Sequence, residues 1–171
     1  MLRVKVIGLV PFRGRAVRVL LSFNAEDVAL AEAFRATLFI LAPDLEVFFS
    51  PILYEGYRAI KFHEADALIF FVARHGLSDL QRQELHRAFK RAKTDSEFTI
   101  VPVLAGSANP PELSTSLDWI DVPVVTDQNT LTEIIAVLES CSARTERTRE
   151  RRSHGFGSVL LERLSAQRTG R

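Results

Sequence analysis

Five apolar blocks recur along the chain without period-two alternation: Val17–Phe23, Leu45–Phe49, Asp66–Ala73, Phe98–Leu104 and Trp119–Val125. A strand covered by helices on both faces needs apolar residues at every position, so such blocks predict a parallel sheet. Helical spacing fills the intervals. From Ala25 to about Leu41, Leu30, Ala31, Phe34, Leu38 and Leu41 make one stripe, with Asn24 as its N-cap and Pro43 beyond its end. Ser78-Asp79-Leu80-Gln81 has the form of a capping box and opens a helix to about Lys93, with Leu85, Ala88, Phe89 and Ala92 at core spacing. Thr130-Leu131-Thr132-Glu133 has the same form and opens a last helix whose stripe is Leu131, Ile134, Ile135 and Leu138.

This alternation predicts a doubly wound α/β domain over 17–141. Between the second and third strands, Ser50 to Phe62 is short for a loop and a full helix, so a loop with about two helical turns is expected there. Val4, Val6 and Val10 alternate with charges or glycine, which makes residues 1–16 either an arm or an extra edge strand. Pro102 falls inside the fourth block and places that strand near an edge or at a bulge.

Composition narrows the class. The chain of 171 residues is 47% apolar and 25% charged, within the range of ordinary globular proteins. Cys141 is its single cysteine, which excludes a disulfide scaffold and paired-cysteine zinc sites. The longest apolar run, Ala67 to Ala73, is too short to cross a bilayer, and Arg3 and Lys5 interrupt any signal-peptide core, so a cytoplasmic location and no membrane partner are expected. Residues 142–171 hold eight arginines against three glutamates, a net charge of +5, which leaves −4 on the remainder. A mildly acidic body with a basic tail does not describe a nucleic-acid-binding domain, and 142–171 reads as a solvated linker or tail.

In open α/β sheets, ligands bind at the carboxyl ends of the strands. Neither GxGxxG nor GxxxxGK[ST] occurs, which argues against a Rossmann-type dinucleotide site and a P-loop. The third block ends in Ala73-Arg74 where a phosphoacceptor domain needs aspartate. His75 and His86 lack the spacing for a shared metal and read as surface residues; no metal site is expected. Phe23 and Tyr54 are either core aromatics or stacking surfaces for a base, and Ser22 and Asn24 offer a hydroxyl and an amide to ribose or phosphate, Asn24 serving equally as a plain cap. By position alone, Glu84 reads as a helix-surface glutamate pairing with His86, Arg87 or Arg91.

Several segments, in order, resemble the Toll/interleukin-1 receptor (TIR) family of bacterial type. Val19 to Asp27 is similar to the family's first strand, ending in Ser-Phe before an acidic pair. Glu46-Val47-Phe48-Phe49, followed by a loop with Gly56, resembles the second strand and BB loop. Ala65 to Phe71 resembles the third strand, Arg82 to Ala88 the segment with the catalytic glutamate, and Ile100 to Leu104 with Pro110-Pro111 the fourth strand and its loop. The likeness spans about 17–140. It implies a flavodoxin-like sheet of about five parallel strands in order 2-1-3-4-5. It also implies self-association through TIR–TIR contacts in a defence or cell-death signalling role, with a sensor domain or partner protein as a possible companion.

The activity implied is cleavage of NAD+, as substrate and not cofactor, at its nicotinamide–ribose bond, with Glu84 as the catalytic carboxylate. Ser22, Phe23, Asn24, Tyr54 and Leu80 line the substrate. Leu80 stands where active members often carry Trp, and the segment between Phe49 and Ala65 is abbreviated, so the pocket of one copy lacks wall and activity is expected to depend on a second. The alternatives are a non-enzymatic TIR adaptor and a nucleoside deoxyribosyltransferase-like enzyme. The chemistry is independent of the likeness: nicotinamide leaves a cationic pyridinium as a neutral molecule, so the barrier lies in oxocarbenium charge on the ribose, which a carboxylate stabilises.

Overall fold

The computed structural model describes residues 16–50, 61–106, 108–111 and 117–140. Five strands form one parallel sheet: β1 (Val17–Ser22), β2 (Leu45–Ser50), β3 (Ala67–Val72), β4 (Thr99–Ala105) and β5 (Ile120–Val122), in the order β2-β1-β3-β4-β5. Among the described residues, three α-helices accompany them: α1 (Val28–Leu41), α2 (Asp79–Ala92) and α3, residues 128–140. The fold class is the expected flavodoxin-like α/β arrangement, with β1 internal.

The blocks lack alternation because both faces are covered. Val19, Leu21 and Phe23 of the first strand region pack with Phe34 and Leu38 of α1 and with Leu131, Ile134 and Leu138 of α3 in one apolar cluster. Leu20, Phe48, Leu68 and Phe70 turn the other way, onto Leu85 and Ala88 of α2. Every residue of β3 is buried, as expected of the middle strand of a doubly wound sheet.

Pro102 is paired in register with Phe70 of β3. Pairing between β4 and β5 begins one residue later and covers Val103 to Ala105. At Pro102, β4 is therefore locally an edge on the β5 side, which is where a strand tolerates a residue without an N–H. The last block contributes only three residues of strand.

The start of α2 follows expectation, whereas α1 begins later than expected, at Val28, with Asn24 capping the 3-10 turn before it. Asn24 accepts from Glu26 N at the head of a short 3-10 turn, Ala25–Asp27, that leads into α1. Ser78 Oγ accepts from Gln81 N at 3.2 Å while Gln81 Oε1 accepts from Ser78 N at 3.1 Å. The start of α3 is a correction. Its helix begins at 128, and the capping residue is Asp127, whose carboxylate accepts from Asn129 N at 3.3 Å and from the Thr130 hydroxyl at 2.7 Å. Two caps overlap here, and aspartate carries the negative charge that a helix N-terminus favours.

The Thr130 hydroxyl, then the Asn129 N–H, hold the Asp127 carboxyl below its ordinary range. A lowered folded-state value means that its contribution is present above the ordinary aspartate range and is lost as pH falls through the lowered one. Amide exchange in the first turn of α3 is expected to accelerate on acidification through that window. Asp127→Asn keeps a capping oxygen and should flatten the profile; an unchanged profile in that variant assigns the transition elsewhere.

Residues 1–15, the segment 51–60 with Tyr54, and the tail from 141 lie outside the described residues, as do the expectations placed on them.

Candidate active site at the carboxyl edge of the sheet

Among the described residues the buried polar side chains are Ser22, Asp27, Gln81 and Glu84. All belong to the carboxyl ends of β1 and β3 or to the helix starts beside them. Buried polar groups are retained where hydrogen bonds satisfy them, and their concentration at one sheet edge marks a crevice as a candidate site.

Period two along the strands explains the central group. Ser22 points to the same face as Leu20, and Ser50 to the same face as Phe48, which is the face covered by α2. Ser22 and Ser50 are register partners, so their hydroxyls lie side by side. On α2, Gln81, Glu84, Leu85 and Ala88 occupy the buried stripe. Glu84 is 6% exposed. Ser22 Oγ donates to its Oε2 at 2.6 Å, and the Ser50 hydroxyl donates to its Oε1. The carboxylate is therefore held from both oxygens by two neighbouring strands. The surface pairing with His86, Arg87 or Arg91 that position alone suggested is not what forms; His86 and Arg87 point to solvent.

Gln81 is fully buried one turn before Glu84. Its Nε2 donates to the carbonyls of Phe71, at 2.9 Å, and Ser22, at 3.4 Å. It thus locks the capped end of α2 to β1 and β3 and fixes the height of Glu84 against the sheet. Leu80, 40% exposed, stands four residues before Glu84 on neighbouring helix surface, at the rim.

A second group lies between the ends of β1 and β3, where the connections leave for opposite faces of the sheet. Asp27 is buried. His75 Nδ1 is 2.6 Å from Asp27 Oδ1, and His75 N donates to Asp27 Oδ2 at 3.3 Å. The outer nitrogen, His75 Nε2, faces Glu26 at 3.7 Å, and Arg74 Nε lies 4.0 Å from Asp27. Asn24 Nδ2 reaches the carbonyls of His75, at 3.3 Å, and Gly76, at 3.4 Å. Gly76, at φ +65°, closes the turn with its N–H on the Ala73 carbonyl at 3.0 Å. These contacts bind the β1–α1 and β3–α2 loops to each other.

The structure thus brings Ser22 and Glu84 together, places Asn24 at the neighbouring loop junction and puts Leu80 on the rim. Phe23 is fully buried and meets Phe49 edge-on, with ring centroids 4.9 Å apart. Of its two open readings, the core one describes its position: it presents no face to a base. Sequence reasoning missed Ser50 as a partner of Glu84, Gln81 as the lock beneath it, and the Asp27–His75 pair. His75 is at the surface as expected, yet its ring is engaged with a buried carboxylate.

No cluster of three His, Cys, Asp or Glu that could hold a metal occurs among the described residues, and no helix there is long and apolar enough to cross a membrane. No family model and no curated protein sequence matches the chain. The functional reading therefore stands on the geometry of the site and on the segment-by-segment likeness.

Proposed function

We propose that the chain is a TIR-type NAD+ glycohydrolase of the cytoplasm, activated by self-association in a defence or cell-death signalling role, with Glu84 as its catalytic carboxylate. The observation that supports this reading is a carboxylate shielded from water at the carboxyl edge of a 2-1-3-4-5 sheet, oriented by the hydroxyls of Ser22 and Ser50. In cleavage, the bond from ribose C1′ to the pyridinium nitrogen breaks and its electron pair neutralises the ring, releasing nicotinamide. Positive charge then develops across C1′ and the ring oxygen until water adds to C1′ and gives up a proton. A charge that need not reorganise, in a site of low polarity, stabilises that cation far better than a solvated one. Ser22 and Ser50 serve this by holding Glu84 before substrate arrives.

One observation favours the adaptor reading: both oxygens of Glu84 already receive hydroxyls of the protein itself. In an enzyme, sugar hydroxyls must displace or share those contacts. The deciding experiment is nicotinamide release from NAD+ over a series of protein concentrations. Release whose specific activity climbs with concentration is the expected result, because a rim built on Leu80 leaves a single copy open to water and a second copy closes it. Equal specific activity in dilute monomer, verified by light scattering, removes the self-association requirement. No release at any concentration supports the adaptor, and base exchange dependent on an added nucleobase supports the transferase.

A further inference from the structure

Away from the carboxyl edge, the flank of the sheet carries a second feature. A groove of about 430 Å³ runs between α1 and β2, lined by Arg35, Ala36, Phe39, Ile40, Leu45 and Val47. Phe39 and Ile40 are 61% and 70% exposed. Among the described residues β2 is paired on one side only, with β1, so a six-residue edge lies beside an apolar groove. A long apolar edge left bare is a template for strand addition.

We propose that residues 2–10 of this same chain occupy that groove, adding an antiparallel strand to the free edge of β2. The first argument is where the chain enters. Val17 opens β1 and is the register partner of Leu45, so residue 16 lies at the level of the groove, one strand away from the open edge. Stepping over β2 to its far side requires about 10 Å at ordinary strand spacing, and residues 11–16 span up to about 20 Å when extended. A segment that runs along the far side of β2 and then returns into β1 must point opposite to both.

The second argument is the match of two period-two patterns. Leu45 and Val47 face α1, whereas Glu46 is exposed on the opposite face, with Asp44 exposed just before the strand. In the entering segment, Leu2, Val4 and Val6 fall on one face and Arg3 and Lys5 on the other. Same-face neighbours on paired strands touch. The antiparallel register that sets Val4 beside Val47 and Val6 beside Leu45, under Phe39 and Ile40, therefore sets Lys5 opposite Glu46, with Arg3 on the same face diagonal to it. A one-residue slip would put the cations into the apolar groove and the valines on Glu46. A second copy of β2 offers no such complement, since it brings Glu46 and Asp44 of its own.

The test is cysteine pairing in the full chain with Cys141→Ser. Val47→Cys is combined in turn with Val4→Cys, Lys5→Cys or Val6→Cys, and the disulfides are mapped after mild oxidation. Linkage within one chain at position 4 or 6, at least ~10-fold faster than at position 5, is the expected result, since only alternate residues share a face. Linkage between chains assigns the groove to a second copy and overturns the proposal, as does equal reactivity at the three positions. Deleting residues 1–10 gives an independent measure. The β2 amides that point away from β1 are expected to exchange at least ~10-fold faster in the shortened chain, with the β3 amides unchanged. Unaltered β2 exchange overturns the proposal, and neither readout depends on catalysis.

Discussion

Glu84→Gln is expected to lower nicotinamide release by at least ~100-fold with the fold intact, the scale seen when a preorganised electrostatic partner of a transition state is removed. The substitution is nearly isosteric and suits the site. Hydroxyl protons rotate, so a glutamine can accept from one serine through its oxygen and donate to the other through its amide. The contacts that bind α2 to β1 and β2 therefore survive while the negative charge goes. Because the loss falls on stabilising the ribose cation, it is expected in kcat, with KM changed less. Self-association measured by light scattering should match the parent chain. Unchanged release in a well-folded variant would reassign the catalytic carboxylate.

Phe71→Ala has the largest effect expected on stability. Phe71 lies in the middle strand, fully buried, with its ring 5.1 Å from that of Phe34 on α1. Truncation removes the apolar contact and leaves a void between sheet and helix that neither element can close by moving, since β3 is paired on both sides. Phenylalanine-to-alanine changes in such positions cost about 3–5 kcal/mol, against a total of about 5–15 kcal/mol for a typical domain. Urea unfolding should show the midpoint fall by a corresponding amount with an unchanged slope. A loss below about 1 kcal/mol would mean that this layer repacks. Val124→Ala, at a 58% exposed position, serves as the comparison and should stay within about 0.5 kcal/mol.

The parts of this architecture legible in the sequence are those with a periodic or local signature. The strands announced themselves as unbroken apolar blocks because helices cover both faces of the sheet, and Ser78 announced α2 because its cap is completed within four residues. The start of α3 falls before the expected Thr130 because Asp127 and Thr130 are both good caps, and the Asp127 carboxylate takes the Asn129 N–H and the Thr130 hydroxyl together. Glu84 could be singled out only by likeness to the TIR family, since exposed and buried helical glutamates are the same letter. Ser50 could not be paired with it, as that contact depends on the register Ser22↔Ser50 and on which face of β2 meets α2. Asp27 and His75 stand 48 residues apart, and a single long-range pair leaves no periodic trace.

The unequal edges of the sheet set how many neighbours the protein can recruit by extending it. β5 is three residues long, with Asp121 exposed at its centre, too short and too charged to template another strand. β2, six residues long, is the edge long enough to do so. With residues 2–10 on the β2 edge, as inferred above, neither edge is open to a neighbour; a copy without that segment would have a valence of one, and two such copies joined there would close as a dimer. An open filament therefore has to be built from helix faces or loops. Substitutions that lengthen β5 or neutralise Asp121 would open a second edge, and in a chain shortened by residues 1–10 would turn a self-limiting contact into a propagating one.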